Sequence, residues 1–471
     1  MHTKKIDLIF ACYSLTMKNK KPAIAVIDVG KTNKKIFLFD QDYNIVCERS
    51  ARFLETTDED GDPCENLEAL RLSVFDSLRW LFTKHDFDVK AINFSAYGAS
   101  FVNIDEDGNP VTPLYNYLKP YPGELKKRFY NDYGGEEGFS LQTASPILGS
   151  LNSGMQLYRL KHEKPEVFNQ VKYSLHLPQY LSYLISGKPC SDITSIGCHT
   201  NLWDFQKNDY HQWVHTEGID QKLAPICSYD ETTKAIFPGN NYLVGIGLHD
   251  SSAALIPYMV NFQEPFILLS TGTWCITLNP FNNTQLTIDE LQQDCLCYLH
   301  YQGQPVKASR LFSGPEYEEG VERIAKHFNH DPIRYRAIEF NPEITAVLQK
   351  NSQASERTLF AERDLSLFVS GEEAYHQLLL DIIKQQVRST NLVLNGSPVK
   401  RLFVDGGFSR NAVYMNLLAM AFPQLEVYAA SMAQATALGA ALAIHKSWNR
   451  KRLPNTLIRL QYYSAAQTAL V

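Results

Sequence analysis

A chain of 471 residues is too long for one ordinary hydrophobic core, so two domains of roughly 200 to 250 residues are expected. Its 44% apolar and 20% charged composition is that of a globular protein, and its net charge of −6 lacks the basic balance of a nucleic-acid binder. No stretch approaches the roughly 18 uninterrupted apolar residues of a membrane helix, and nine scattered cysteines, an odd number, are read as those of a reduced cytosol.

Lys4-Lys5 followed by Ile6 to Leu15 is faintly like a signal peptide, but Asp7 interrupts a short apolar run. Residues 1–20 are expected to be a disordered extension, with Met17 as an alternative start. Ile24 to Phe39 then reads as strand, polar glycine turn and strand, with a third strand over Ile45 to Arg52. Thr56 to Cys64 is an acidic loop, and the spacing of Leu67, Leu70, Val74, Leu78 and Leu81 predicts a helix over 67–82. A buried strand over Lys90 to Ser95 ends in the turn Ala96-Tyr97-Gly98-Ala99, and Phe101 to Ile104 is a further strand. Residues 121–240 mix short helices with irregular aromatic segments, as a pocket wall or cap does.

Tyr242 to Gly247 is a strand after which His249-Asp250-Ser251-Ser252 stands where a helix should begin. Pro257 and Pro265 bracket an expected linker, giving domains at 21–259 and 260–449 and a tail at 450–471. Phe266 to Leu278 repeats the opening hairpin around Gly272. Cys295-Leu-Cys297 is too close for a CxxC metal pair and reads as strand packing. Helices are expected around Tyr317 to Phe328 and Gly371 to Leu394, and Arg401 to Asn411 is a strand, a double-glycine turn and a helix start. The order hairpin, helix, strand, glycine turn, helix therefore occurs twice, as domain duplication produces.

Both hairpin turns offer the chemistry of an anion site. Ser270-Thr271-Gly272-Thr273 presents hydroxyls and unhindered backbone N–H groups, although a plain hairpin turn is the simpler alternative. The turn Asp28-Val29-Gly30-Lys31-Thr32-Asn33 adds a carboxylate suited to a Mg²⁺–phosphate, with Lys34 and Lys35 as added charge or solvated lysines. A P-loop is excluded, because the earlier glycine of that pattern falls on Ala25 and a strand follows the turn. Asp405-Gly406-Gly407 lets a flat ligand approach the backbone, with Ser409 and Asn411 at the following helix start. Asp250 at a strand's C-terminal end is the best candidate base, with a helix cap as its structural alternative.

Together these motifs resemble the FGGY family of carbohydrate kinases, of the actin/hexokinase/Hsp70 superfamily, over about residues 22 to 448. Asp28-Val-Gly-Lys-Thr-Asn-Lys-Lys35 resembles the first phosphate motif and Ser270-Thr-Gly-Thr-Trp274 the second. Asp405 to Asn411 resembles the adenosine motif, with Ala435 to Ala443 as its small-residue helix, and Gly247 to Ala253 resembles the segment of the catalytic Asp. The resemblance implies an α/β protein of two ribonuclease-H-like domains around a central cleft. Asp250 would be the base, and Asp28 and Asp250 would hold Mg²⁺. Gly30, Thr32, Asn33, Lys34, Thr271, Gly272, Thr273, Gly314, Gly406, Gly407, Ser409 and Asn411 would contact ATP.

The segment Phe94 to Val102 is similar to the substrate strand of rhamnulose and fuculose kinases, as is His249 beside the base. Those relatives carry Asp at the place of Ser100, and an aromatic-x-Asp-x-Arg pattern where this chain has Tyr117-Leu-Lys119-Pro-Tyr121. The resemblance implies a sugar contacted by His249, Tyr97, Gly98, Ser100, Tyr117 and Lys119, with Tyr115 and Trp203 as further aromatics. The expected reaction is ATP-dependent phosphorylation of a ketose, foremost a 6-deoxy-ketohexose. A ketopentose, or a non-catalytic sensor, is the alternative. Sugar and ATP are the expected partners, without nucleic acid or membrane, and a homodimer is left open.

Overall fold

The computed structural model describes residues 20–31, 33–237, 241–351, 359–432 and 434–464. The expected extension lies outside these except for Lys20, and so does Thr32. Two mixed sheets organise the chain, each seeded by one of the two hairpins.

The first sheet opens with β1 (Lys21–Val29), β2 (Lys34–Asp40) and β3 (Ile45–Ala51), an antiparallel meander. Helix α1 (Leu67–Phe82) matches the predicted span, with Asn66 as its cap through a side-chain bond from the Ala69 N–H. Its buried Leu70, Val74, Leu78 and Leu81 face the sheet. The chain returns in β4 (Phe87–Ala96), parallel to β1. Helix α2 (Leu177–Ser186) covers the same side. Three short strands complete the sheet: β5 (Thr232–Lys234), β6 (Leu243–Gly245) and β7 (Leu248–His249). The order is β5-β6-β4-β1-β2-β3, with β7 beside β4. Between β4 and β5 the chain forms a cap with its own aromatic core of Phe129, Tyr158, Trp203 and Trp213, into which Leu299 of the second lobe also packs.

Helix α3 (Asp250–Asn261) runs straight through Pro257, where a linker was expected. Proline removes the N–H that would reach the carbonyl four residues earlier, that of Ala253. A Cβ on Gly439 would lie 1.8 Å from that oxygen, so only glycine can stand there. Another helix therefore packs directly on the carbonyl that Pro257 leaves without its helical N–H partner.

The second sheet comprises β8 (Phe266–Thr271), β9 (Cys275–Asn279), β10 (Cys295–Leu299), β11 (Pro305–Leu311), β12 (Arg401–Gly406), β13 (Glu426–Ser431) and β14 (Arg459–Tyr463). Its order is β10-β11-β9-β8-β12-β13-β14. β12 and β13 run parallel to β8, as β4 and β6 run parallel to β1. The segment from 450 on, read as a tail, thus supplies an edge strand. Helices α4 (Gly314–Phe328), α5 (Gly371–Leu394) and α6 (Ala412–Ala421) cover one face. Cys295 and Cys297 are buried in β10 as free thiols, as their spacing predicts. These are the two ribonuclease-H-like α/β lobes implied by the resemblance.

Helix α7 (Ala435–Ala443) lies in sequence between β13 and β14 of the second sheet but packs on the first, against Ile24, Val26, Phe37 and Ala91. α3 joins it there, while its Leu255 and Tyr258 enter the core of the second sheet. The two helices therefore fill the space between the lobes.

Candidate active site

The two parallel strand pairs end in matching registers. Asp28 pairs with Ser95 and Val29 with Ala96; Ser270 pairs with Asp405 and Thr271 with Gly406. Each ladder is extended by one bond: the Tyr97 N–H reaches Val29 O at 3.1 Å, and the Gly407 N–H reaches Thr271 O at 2.9 Å. Both glycine turns therefore emerge at the C-terminal ends of parallel strands, where open α/β sheets place ligands.

In the first lobe, β7 ends at His249, the N-cap of α3, and Asp250 opens that helix with its side chain 30% exposed. Asp250 Oδ1 accepts the Ser251 N–H at 2.6 Å and lies 3.3 Å from His249 Nε2. The His249 ring also meets Cys198 Sγ at 3.3 Å. Burial pushes this imidazole below its usual range, against the pull of Asp250, so it is neutral near pH 7. A Cβ on Gly98 would lie 2.8 Å from the same ring, so this glycine makes room for the imidazole.

Asp28 is part-buried near the end of β1, and its Oδ2 accepts the Thr436 hydroxyl at 2.9 Å. Burial raises its carboxyl to about 6; the Thr436 bond opposes this and the charge of Asp250 adds to it. A carboxylate whose ionisation is opposed by burial and by the charge of a second carboxylate belongs to a donor set a hard cation would relieve.

The remaining first-lobe candidates separate into two groups. Tyr97 and Tyr117 pack edge to face at 6.0 Å, with Lys31 Nζ 5.9 Å from both rings. Burial, and then the charge of Asp250, raises the Tyr117 phenol. Ser100 is buried, with no partner for its hydroxyl among the described residues. The other group is held within the protein. Lys34 forms a buried ion pair with Glu65 at 2.9 Å, and Asn33 Oδ1 accepts from Arg52 Nε at 2.9 Å. Lys119 is enclosed by Asp58, Asp60 and Asp62. Gly30 closes its turn through an N–H bond to Asn33 O at 2.9 Å. Tyr115 hydrogen-bonds Glu59, and Trp203 belongs to the core of the cap.

In the second lobe Thr271 braces the glycine turn: its hydroxyl donates to Asp405 O at 2.6 Å and accepts the Phe408 N–H at 2.9 Å. Gly406 has φ +90°, and a Cβ there would lie 1.9 Å from Thr271 O. Gly407 is different, because its missing Cβ faces open space. It lines a cleft of about 450 Å³ with Gly272, Gly314, Tyr317, Arg336 and Asn411. Gly314 packs on the second hairpin, donating its N–H to Thr273 O at 3.1 Å. Gly272 and Thr273 are exposed at the tip of that turn. Asn411 caps α6 through the Tyr414 N–H, and the Ser409 hydroxyl bonds Gly406 O at 2.9 Å.

Two residues of this region escaped the sequence reading. Arg310 on β11 is bidentate on Asp294 at 2.5 and 3.2 Å, and its guanidinium lies 5.4 Å from the Trp274 ring. Its charge helps keep His199 neutral and bears on Cys198, the neighbour of His249. A lone arginine in the strand Pro305 to Leu311, one residue from its apolar end, was the available signal. Thr436, the only hydroxyl in α7, was the other.

Comparison with known proteins places this geometry. Residues 23–255 match the FGGY family of carbohydrate kinases, N-terminal domain, and residues 263–452 match the carbohydrate kinase FGGY, C-terminal domain. A rhamnulokinase of Mannheimia succiniciproducens is 21% identical over 447 residues, 88% of each chain. A carbohydrate kinase from Novosphingobium aromaticivorans superposes with a TM-score of 0.79 at 24% identity over 96% of each chain. A ligand-bound xylulose kinase from Lactobacillus acidophilus superposes at 0.74, with 16% identity over 95% of each. Two matched domains in order, laid over two lobes whose glycine turns share one register, make this chain a carbohydrate kinase of the FGGY family.

Proposed function

We propose that this kinase transfers the γ-phosphoryl group of ATP to a hydroxyl of a ketose, and that the acceptor is a 6-deoxy-ketohexose such as L-rhamnulose or L-fuculose. The presentation of Asp250 carries the reading: a partly exposed carboxylate at a strand-to-helix junction, held by the Ser251 N–H, beside a neutral imidazole. Asp250 takes the proton of the acceptor hydroxyl as its oxygen attacks phosphorus. His249, uncharged, does not neutralise that base, and burial lowers its own affinity for the proton. Tyr97 and Tyr117 offer an apolar wall suited to a methyl-bearing sugar face, and the rhamnulokinase relative supports the same choice.

ATP lies along the cleft lined by Gly272, Gly314 and Gly407, where a flat ring approaches backbone without a Cβ in its path. Asp28 and Asp250 have the oxygen chemistry to hold Mg²⁺, which when bound supplies charge neutralisation for the phosphates. Arg310 is a second cation available to developing negative charge.

A coupled ADP-release assay over L-rhamnulose, L-fuculose, D-xylulose, D-ribulose, gluconate and glycerol tests the reading. Turnover is expected to be highest, by kcat/KM, with a 6-deoxy-ketohexose. A preference for a ketopentose overturns the acceptor assignment, and silence across the panel overturns the ketose.

A further inference from the structure

The helix that carries Asp250 begins without a side-chain cap. Its N-cap, His249, makes no side-chain bond to the N–H groups of the first turn, and the Ser252 hydroxyl turns away to Leu299 O at 3.2 Å. A capping Ser, Thr, Asp or Asn would fix those N–H groups and with them the start of the helix. The strand that leads in, β7, pairs with β4 over only Leu248 and His249. The direction of Asp250 therefore depends on what holds this junction from outside.

The fastening comes from the cap. Asp192 opens the one-turn helix Ile193–Ile196, and its Oδ2 accepts the N–H groups of Thr194 and Ser195 at 3.0 and 3.1 Å. The same oxygen accepts the Thr194 hydroxyl. A hydroxyl has one proton to give, so Thr194 Oγ1 turns its lone pairs the other way, where it accepts the His249 N–H at 3.0 Å. Four residues after Thr194, Cys198 Sγ lies 3.3 Å from His249 Nε2. One short segment thus holds both the main-chain N–H and the ring of the residue that precedes Asp250.

Asp192 does this at a cost in stability. It is fully buried, as is Thr194. Among the described residues it forms no ion pair, and its Oδ1 has no hydrogen-bond partner. Burial raises its carboxyl to about 7 against the pull of its hydrogen bonds. A buried carboxyl without a counter-charge weakens a fold. What this one supplies is an acceptor that sets the direction of a single hydroxyl.

We propose that Asp192 and Thr194 are positioning residues for phosphoryl transfer: Asp192 orients the Thr194 hydroxyl, which holds the His249 N–H and so fixes the direction in which Asp250 meets the acceptor hydroxyl. The effect on catalysis rests on the function proposed above; the hydrogen-bonded brace does not.

The test uses the full chain. Thr194→Val keeps the side-chain shape and removes the hydroxyl; its kcat is expected to fall about tenfold, with KM for acceptor and for ATP each moved by less than about twofold. Thr194→Ser, which returns the hydroxyl, should restore most of the rate. Asp192→Ala should also lower kcat about tenfold, and the double variant Asp192→Ala/Thr194→Val no further, because the pair acts as one unit. In an Asp250→Asn background, Thr194→Val should lower the residual kcat by less than about twofold, since its effect passes through Asp250. An unchanged kcat in Thr194→Val, an additive double variant, or a full tenfold loss without Asp250 overturns the proposal. Amide hydrogen exchange supplies a readout apart from turnover: the peptide spanning Leu248 to Ser252 should exchange faster in Thr194→Val than in the wild type or Thr194→Ser, and unchanged exchange overturns the brace. Should Thr194→Val or Asp192→Ala fail to fold, Thr194→Ala must show the same kcat loss and the same faster exchange or the proposal falls. If the wild type phosphorylates none of the sugars, the function proposed above fails, and the exchange measurement still decides the brace.

Discussion

The two glycine turns hold equivalent places in their sheets yet are stabilised in opposite ways. The first is fastened by charge: Lys31 on Glu55, and Lys34 buried on Glu65. The second is fastened by neutral groups: the Thr271 hydroxyl and carbonyl hold the Gly406-Gly407 turn, and Gly314 closes on Thr273. The registers also swap the carboxylate: Asp28 stands opposite Ser95 in the first lobe, whereas Ser270 stands opposite Asp405 in the second. The two lobes share one frame, and side-chain choice made one turn charged and left the other open to the cleft.

The comparison breaks most severely at Lys34. Lys34→Met strands a buried Glu65, which should cost about 3 to 5 kcal/mol of stability. Chemical denaturation would show the loss, while KM for ATP in the folded fraction stays near normal. An altered KM at unchanged stability would make Lys34 a nucleotide contact instead. The next effect is on chemistry: Asp250→Asn should lower kcat by at least about 10²-fold while ADP binding, followed by calorimetry, is retained. Turnover near that of the wild type would remove Asp250 from its proposed role.

Gly407→Val sharpens the contrast within the second turn. Its side chain enters the cleft, so KM for ATP should rise about tenfold with little change in melting temperature. An equal rise in acceptor KM would count against a nucleotide cleft there.

The smallest effect concerns pH. His176 and His199 of the first lobe are buried and held down to about 3, by burial first and, for His199, by the Arg310 charge second. A histidine whose folded value lies below its unfolded one contributes stability above pH 6.5, and that stability is lost as pH falls toward 3. Each should steepen acid unfolding by about 1.4 kcal/mol per pH unit within that window. Urea midpoints between pH 7 and pH 5 should therefore fall less steeply for His176→Gln than for the wild type.

Much of this was legible in the residues. The helices at 67–82 and 371–394 follow from the residues, that at 435–443 from the family resemblance, and both hairpins from β-branched runs flanking glycine. Pro257 misled, because the packing on the carbonyl it leaves without an N–H partner comes from Gly439 on a distant helix. The edge strand at 459–463 was missed because its pairing with β13 supplies what its own short sequence does not advertise.

Local patterns, read within a few residues, thus determined the lobes, the paired turns and the strand-end aspartate, because backbone geometry responds to near neighbours. Which polar groups remain free for ligands was decided only by the folded chain. Lys119 reads as a sugar contact and Lys34 as a phosphate contact or a solvated lysine until carboxylates from the acidic loop enclose them. Asp28 receives its partner Thr436 from 408 residues away. Burial and ion pairing are properties of the assembled lobes, and they separate the lysines that hold the frame from the groups that face the cleft.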